Sequence, residues 1–256
     1  MGLFDKKFCS VCGDKIGFLG NRKLEDGNLC KECANKLSYW FDERRHSTVE
    51  EIKAQLAYRE ENQRKVDEFN VTRTFGRGTL LVLDEDKQQF AVVRTKKMRD
   101  ENPDILDYSQ VTGCDLDIDE DRDEEMRETP DGKRVSYNPP RYTYKYNFRM
   151  IIRVNHPYFD DMHFNLNNST VYIDPTSARG VMGMSFNPRN HPEYKEYVEM
   201  GEEIKTALTE IRTQVRETAQ AANAPKAAMV CPACRATTIP DANGCCEYCG
   251  SALVSR

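Results

Sequence analysis

Apolar and polar positions follow two periods along this chain, and the places where the period changes outline its parts. Val49, Ile52 and Leu56 recur at helical spacing behind Ser47-Thr-Val-Glu50, the hydroxyl-to-carboxylate spacing of a capping box. Val66 and Phe69 close the stripe after a polar interruption from Arg59 to Arg64. This predicts a solvated connecting helix over residues 48–69. From Val71 onward the period drops to two. Thr79-Leu-Leu-Val-Leu83 and Phe90-Ala-Val-Val93 flank a turn at Asp84-Glu-Asp-Lys-Gln-Gln89, which predicts a β-hairpin. Val111, Leu116 and Ile118 predict another strand, as do residues 142–154, 163–166 and 170–173. The region is expected to be a mostly antiparallel β domain.

Asp115 to Glu125 is an acidic run. A calcium loop of the EF-hand type beginning at Asp115 would need glycine at its sixth position and glutamate at its twelfth, where the chain has Glu120 and Met126. The run instead reads as a strand end leading into a long exposed loop, with Gly132 and Pro139-Pro140 in it. Beyond Asn190 the period returns to helical. Asn190 is placed to cap, Pro192 fits the first turn, and Tyr197, Gly201, Ile204, Leu208, Ile211 and Val215 recur at spacings of four and three. This stripe over 192–217 predicts a helix packed on the β domain; a homodimer through the 192–217 helix is the alternative. The alanine-rich stretch around Pro225 predicts a flexible linker over 218–229.

No run approaches the roughly 20 apolar residues that span a bilayer. The N-terminal stretch lacks the apolar core of a secretory signal, and Lys6 stands where myristoylation requires Ser or Thr. A cytoplasmic location is the expectation. That compartment is reducing, so the ten cysteines point to metal rather than disulfides.

Eight of them fall in close pairs. Cys9-Ser-Val-Cys12 and Cys30-Lys-Glu-Cys33 are seventeen residues apart; Cys231-Pro-Ala-Cys234 and Cys246-Glu-Tyr-Cys249 are eleven apart. A C-x-x-C turn presents two thiolates to one ion, and two such turns supply the four soft donors of a tetrahedral zinc site. Gly13 and Gly250 suit the positive φ that such knuckles require. Cys245 adjoins Cys246 and is an alternative ligand, with Cys246 preferred for its C-x-x-C-Gly context. Four protein donors leave no coordination position for water, so two structural Zn2+ ions are expected, held by Cys9, Cys12, Cys30 and Cys33 and by Cys231, Cys234, Cys246 and Cys249.

Between the first pairs lie strand-like pieces with Gly-Asn and Asp-Gly turns, and a helical segment with Ala34, Leu37 and Phe41 follows Cys30. This order resembles a treble clef. The residues Cys-x-x-Cys-Gly-x-Lys-Ile-Gly and Leu-x-Asp-Gly-x-Leu-Cys-x-x-Cys, over about 8–45, resemble a bacterial zinc-binding family known as domain of unknown function 4428, which implies metal binding and no activity. The C-terminal pairs, with strand-like segments 236–239 and 252–254, resemble a zinc ribbon. The hairpin 79–93, Leu106-Asp-Tyr-Ser-Gln-Val-Thr and the late helix resemble the pleckstrin-homology-like fold over about 70–217. Members that bind phosphoinositides line the first hairpin loop with Lys and Arg; the loop 84–89 is acidic, which argues against lipid headgroups.

The expected architecture is therefore α+β and multidomain: a treble-clef-like zinc module (1–46), a connecting helix (47–69), a pleckstrin-homology-like β domain with a terminal helix (70–217), a linker (218–229) and a zinc ribbon (230–256). No catalytic constellation is present. His46, His156, His163 and His191 are scattered, and Cys114 reads as a small buried apolar residue. The formal charge is −5; eight bound thiolates subtract eight and two Zn2+ restore four, so the loaded chain stands near −9. Without a visible cation cluster, nucleic-acid binding is disfavoured. The expected function is a non-enzymatic zinc-binding adaptor with protein partners, the alternative a nucleic-acid-associated regulatory zinc protein.

Overall fold

The computed structural model describes residues 7–95, 97–174, 186–223, 229–241 and 244–253, with side chains for all of these except 210–223. The chain divides into two compact units, Met1–Arg212 and Thr213–Arg256.

The first unit opens with two tight hairpins, β1 (Lys7–Phe8) with β2 (Lys15–Ile16) and β3 (Arg22–Lys23) with β4 (Asn28–Leu29), followed by α1 (Lys31–Asn35). Two-residue strands bury little by themselves. The hairpins are held by a cluster in which Leu24 and Leu29 are wholly buried beside Ile16, Leu37 and Ile52 of α2 (Val49–Glu68). The cap of α2 is Thr48, one residue later than the sequence pattern suggested. Its hydroxyl accepts from the Glu51 amide at 3.3 Å, and the Glu51 carboxylate accepts from the Thr48 amide at 2.7 Å. Asp26, in the β3–β4 turn, accepts from the Val49 amide at 2.7 Å.

The polar interruption in α2 is not a solvated face. Ile52, Gln55, Arg59, Asn62 and Val66 are the buried residues of the helix, and they share one stripe. Arg59 pairs with Asp104 at 2.7 Å, with side-chain exposures of 8% and 2%. Asp104 also accepts from the Tyr58 hydroxyl at 3.0 Å and the Ser38 hydroxyl at 2.8 Å. Asn62 donates to the Pro103 carbonyl at 2.8 Å and accepts from the Ile105 amide at 2.9 Å. The expected connecting helix is thus a buried strut. Arg59 and Asn62 could go inside because residues 102–105 offer them partners.

β5 (Arg73–Phe75), β6 (Leu80–Asp84), β7 (Gln89–Val93) and β8 (Leu106–Asp107) make an antiparallel meander, with α3 (Met98–Glu101) between the last two. Both faces of β6 and β7 are covered, which accounts for their unbroken apolar runs. Leu81, Leu83, Phe90 and Val92 join the main core, whereas Val82, Ala91 and Val93 meet Val66 and Ile105 in a separate cluster. Asp84, expected in the exposed turn, is wholly buried at the end of β6 and accepts from the Asn70 and Lys87 amides at 2.9 and 3.0 Å.

The second sheet is built on a long ribbon of β9 (Val111–Glu128) and β10 (Arg134–His156); β11 (Phe159–Asn165) and β12 (Val171–Ile173) pair with the other edge of β10. The later part of the acidic run and the segment after it, expected as a loop, continue the strand that Val111, Leu116 and Ile118 predict. The reason lies across the ladder. Asp115 pairs with Arg153 at 2.5 Å, Asp117 with Arg149 at 3.5 Å and Asp123 with Lys145, while the Arg122 guanidinium covers the Tyr142 ring. Gly132, at φ +75°, closes the turn. Pro139 and Pro140 fall in a bulge where β10 has four residues, 137–140, without ladder partners, so their missing N–H groups cost no pairing.

α4 (Pro192–Asn223) packs on this sheet with its first half, from Tyr194 to Leu208. Tyr194, Tyr197, Ile204 and Leu208 enter the main core, with the Tyr197 ring stacked 5.0 Å from Phe148. Gly201 permits the close approach: a Cβ there would lie 2.7 Å from Leu116 Cδ2. Its first intrahelical bond, from Lys195 N–H, goes to the His191 carbonyl at 3.1 Å, so His191 and not Asn190 holds the cap position; Asn190 ends a 3-10 turn, Pro188–Asn190. The side chains of Ile211 and Val215 lie outside the described residues.

In the second unit β13 (Met229–Val230) pairs with β14 (Thr237–Thr238), and Cys245 forms an isolated bridge with Ala252. Residues 218–223, expected in the linker, continue α4, while 224–228 lie outside the described residues. The expected strand 236–239 is shorter and pairs with 229–230; of 252–254, Ala252 makes the bridge and Val254 lies outside the described residues. Among the described residues no helix is long and apolar enough to cross a membrane.

Candidate metal centres

The structure brings the eight predicted cysteines together in two groups of four, Cys9, Cys12, Cys30 and Cys33 in the first unit and Cys231, Cys234, Cys246 and Cys249 in the second. Within each group the sulfurs lie within 4.8 Å of one another. A tetrahedron with metal–sulfur bonds of about 2.3 Å has sulfur–sulfur edges of about 3.8 Å. The Cys12–Cys30 separation is 3.8 Å, and those of Cys231–Cys249 and Cys234–Cys246 are 3.6 Å. Each group can therefore hold one metal ion, and four thiolate donors at these separations suit zinc. Cys246, not Cys245, belongs to the second group; the Cys245 amide donates to Asp241 Oδ1 at 2.8 Å.

Three of the four C-x-x-C pairs are alike. In each, the residue after the second cysteine turns its amide back to the carbonyl of the first, at 2.9 Å for Gly13 and 2.8 Å for Arg235 and Gly250. All three have positive φ, +79°, +59° and +71°. The pair Cys30–Cys33 differs: Cys30 caps α1, and its sulfur accepts from the Cys33 amide at 3.3 Å. The Cys30 amide in turn donates to the Cys9 sulfur at 3.4 Å, which ties the β-side knuckle to the helix.

These amides shape the electrostatics. Burial opposes ionisation of Cys9, but the Cys12, Cys30 and Val11 amides outweigh it and bring the thiol down to about 6. Ser251 hydroxyl and amide bring Cys249 down to about 6. Burial and the neighbouring sulfurs push Cys33 up. The Ala236 amide favours the Cys234 thiolate, but the other three sulfurs push that thiol up to about 12. Crowded thiolates repel, and a divalent cation at the centre of each group relieves that repulsion.

Cys114 lies apart, buried on β9, its thiol pushed up to about 12 by burial and by Asp115. None of the four histidines joins either group. Sequence reading missed two features that the fold assembles. The Asp104 network joins residues more than forty positions apart, and only the helical spacing of Gln55, Arg59 and Asn62 hinted at it. Arg22, Lys23, Arg44 and Arg45 line one cavity of about 800 Å³, although a running charge balance cancels them against nearby carboxylates. Burial and the charges of Arg22 and Arg45 lower the Arg44 pKa.

A family described as "Domain of unknown function (DUF4428)" matches residues 7–55. The matched segment holds the first four cysteines and extends through the first turns of α2, whose Ile52 shares the cluster behind them. No curated protein and no solved structure matches the chain.

Proposed function

We propose that the chain is a non-enzymatic zinc-binding adaptor or scaffold, whose two structural zinc modules and β domain present surfaces to protein partners. The observation that carries this reading is the donor set. Each group fills all four corners of a tetrahedron with cysteine sulfur, so a bound Zn2+ has no position for substrate or activated water and serves the fold. In this reading the N-terminal module is treble-clef-like, with two ligands on a hairpin knuckle and two at the start of α1. The C-terminal module is a zinc ribbon built from two knuckles. The middle of the chain is pleckstrin-homology-like: two antiparallel four-stranded sheets followed by a helix packed on them support it. The test has two parts. Elemental analysis of reduced protein should find two zinc equivalents, and affinity purification from the native host should recover a protein partner that the metal-stripped chain does not retain. Zinc well below two equivalents, or turnover of a substrate at either centre, would overturn the reading.

A second reading, a nucleic-acid-associated regulatory protein, draws support from the Arg22, Lys23, Arg44 and Arg45 cavity. Four clustered cations on one module can grip phosphates. A salt-dependent gel shift lost in the R44Q/R45Q variant would favour it, and no retardation at low salt would exclude it.

A further inference from the structure

Between the segment after the first metal centre and the β10–β11 turn, the first unit has a cleft of about 510 Å³. Its walls are aromatic, with Trp40 and Phe41 from one segment and Tyr158 and Phe159 from the other. Phe159 is buried, whereas Trp40, Phe41 and Tyr158 keep part of their surface exposed. His156 completes the wall, its ring 4.2 Å from Phe159 and 5.0 Å from Tyr58.

The lining is also one-sided in charge. Asp42, Glu43, Asp160 and Asp161 contribute to it, and among the described residues no Lys or Arg does. Asp161 is engaged by His163 at 2.7 Å, and Glu51, which also lines the cleft, caps α2. Asp42, Glu43 and Asp160 have no ion-pair partner among the described residues. Aromatic walls alone would accept any apolar group. Carboxylates that repel one another and have no counter-charge select a positive one. A lysine or arginine side chain meets both demands: its methylene stem packs on ring faces, its charged head sits over a π-system, and carboxylates lie within reach.

We propose that this cleft is the docking site for a basic peptide segment of a partner protein, with one Lys or Arg side chain seated among Trp40, Phe41 and Tyr158. Asp42, Glu43 and Asp160 receive its charge and that of its neighbours. The proposal rests on the adaptor reading for the occupant's being a protein, and it adds the chemistry by which that protein is chosen.

Trp40 is the single tryptophan of the chain, so its emission reports on the cleft directly. Titrating the full-length, metal-loaded protein with a short lysine- and arginine-rich peptide should give a saturable change in emission, with the same Kd by calorimetry. A peptide with acetyl-lysine and citrulline at the basic positions should bind about tenfold more weakly or worse. The D42N/D160N variant should lose a similar factor while keeping its circular dichroism and metal content, because both side chains are exposed. Tyr158→Leu, which keeps an apolar wall and removes the π-face, should weaken binding in the same direction. Equal affinity for the neutralised peptide, undiminished affinity of D42N/D160N, or no saturable change would each overturn the proposal. Free lysine amide binding as tightly as the peptide would overturn the peptide assignment in favour of a small-amine site. If the cleft fails these tests while the full chain still captures a protein partner, the proposal falls and the adaptor reading stands. If the peptide binds with the stated charge dependence while no partner is captured, the reverse holds.

Discussion

The two cysteine groups use the same donors at nearly the same separations, yet they stand on different supports. Behind the first, Leu24, Leu29 and Ile52 are wholly buried, Leu37 and Ile16 nearly so, and α2 braces the whole from outside. Behind the second, among the described residues, only Cys231, Cys246 and Thr238 are buried. A metal ion in the first group completes a core that apolar residues have begun. In the second group a bound ion with its sulfurs would itself be the core. Short chains that cannot bury enough apolar surface need such a staple.

The largest expected effect follows from that contrast. Structural zinc contributes about 10–16 kcal/mol of binding free energy, which is folding free energy where no preformed site exists. Cys246→Ser should halve the metal content and abolish amide-exchange protection across residues 229–253, with the first unit unchanged. Cys30→Ser should also halve the metal content, but residual protection should persist in α2 and around Leu24 and Leu29. Native-state hydrogen exchange distinguishes the two. Equal loss of protection in both modules would refute the contrast.

The next effect tests the brace. Asp104 gathers Arg59, Tyr58 and Ser38 in a nearly water-free setting, and removing one partner of a buried pair costs about 3–5 kcal/mol. Asp104→Ala should therefore lower stability by that order in chemical denaturation, and the added change Arg59→Met should recover part of it by removing the stranded charge. An additive, rather than compensating, double variant would show that the two side chains act separately. Gln55 lies on the same stripe, wholly buried, with neither amide atom hydrogen-bonded. Gln55→Leu should raise stability by about 1–2 kcal/mol, since it removes an unsatisfied polar group beside Ile52. A loss of stability instead would mean that an ordered water satisfies the amide.

What the sequence disclosed and what it hid divide along physical lines. The cysteine pairs were legible because metal geometry fixes both residue type and spacing locally. The β6–β7 hairpin was legible because continuous apolar runs bounded by polar turns leave few alternatives. The strut and the ribbon were not. Arg59 and Asn62 look solvated until their partners, about forty residues away, are known. The acidic run beyond Ile118 looks like a loop until β10 faces it across the ladder, with Lys145 on Asp123. In both places long-range pairing of polar groups overrides local hydrophobicity, and only the spacing, every third or fourth residue in one and every second in the other, carried a trace of the outcome. The carboxylate-rich strand β9 is stable as sheet because cations face it from the partner strand.

The smallest effect sharpens the comparison of the two centres at single-residue level. Three knuckles need a residue at positive φ after the second cysteine, and two of them use glycine. Nothing lies within 4 Å of a Cβ built at Gly13 or Gly250, so a side chain there would meet open space and its cost would be purely conformational. Gly13→Ala should then lower the stability of the first module by about 1 kcal/mol. Arg235 occupies the same conformation with a side chain, at φ +59°, in the unit that has the least apolar support. Arg235→Gly relieves that strain but also enlarges the unfolded ensemble, so the net gain should be about 0.5 kcal/mol, read as a slightly tighter apparent zinc affinity in a competition titration with a chromophoric chelator. A loss of affinity of that size would mean that the Arg235 side chain contributes an interaction outweighing its backbone strain, and that the three knuckles are not equivalent after all.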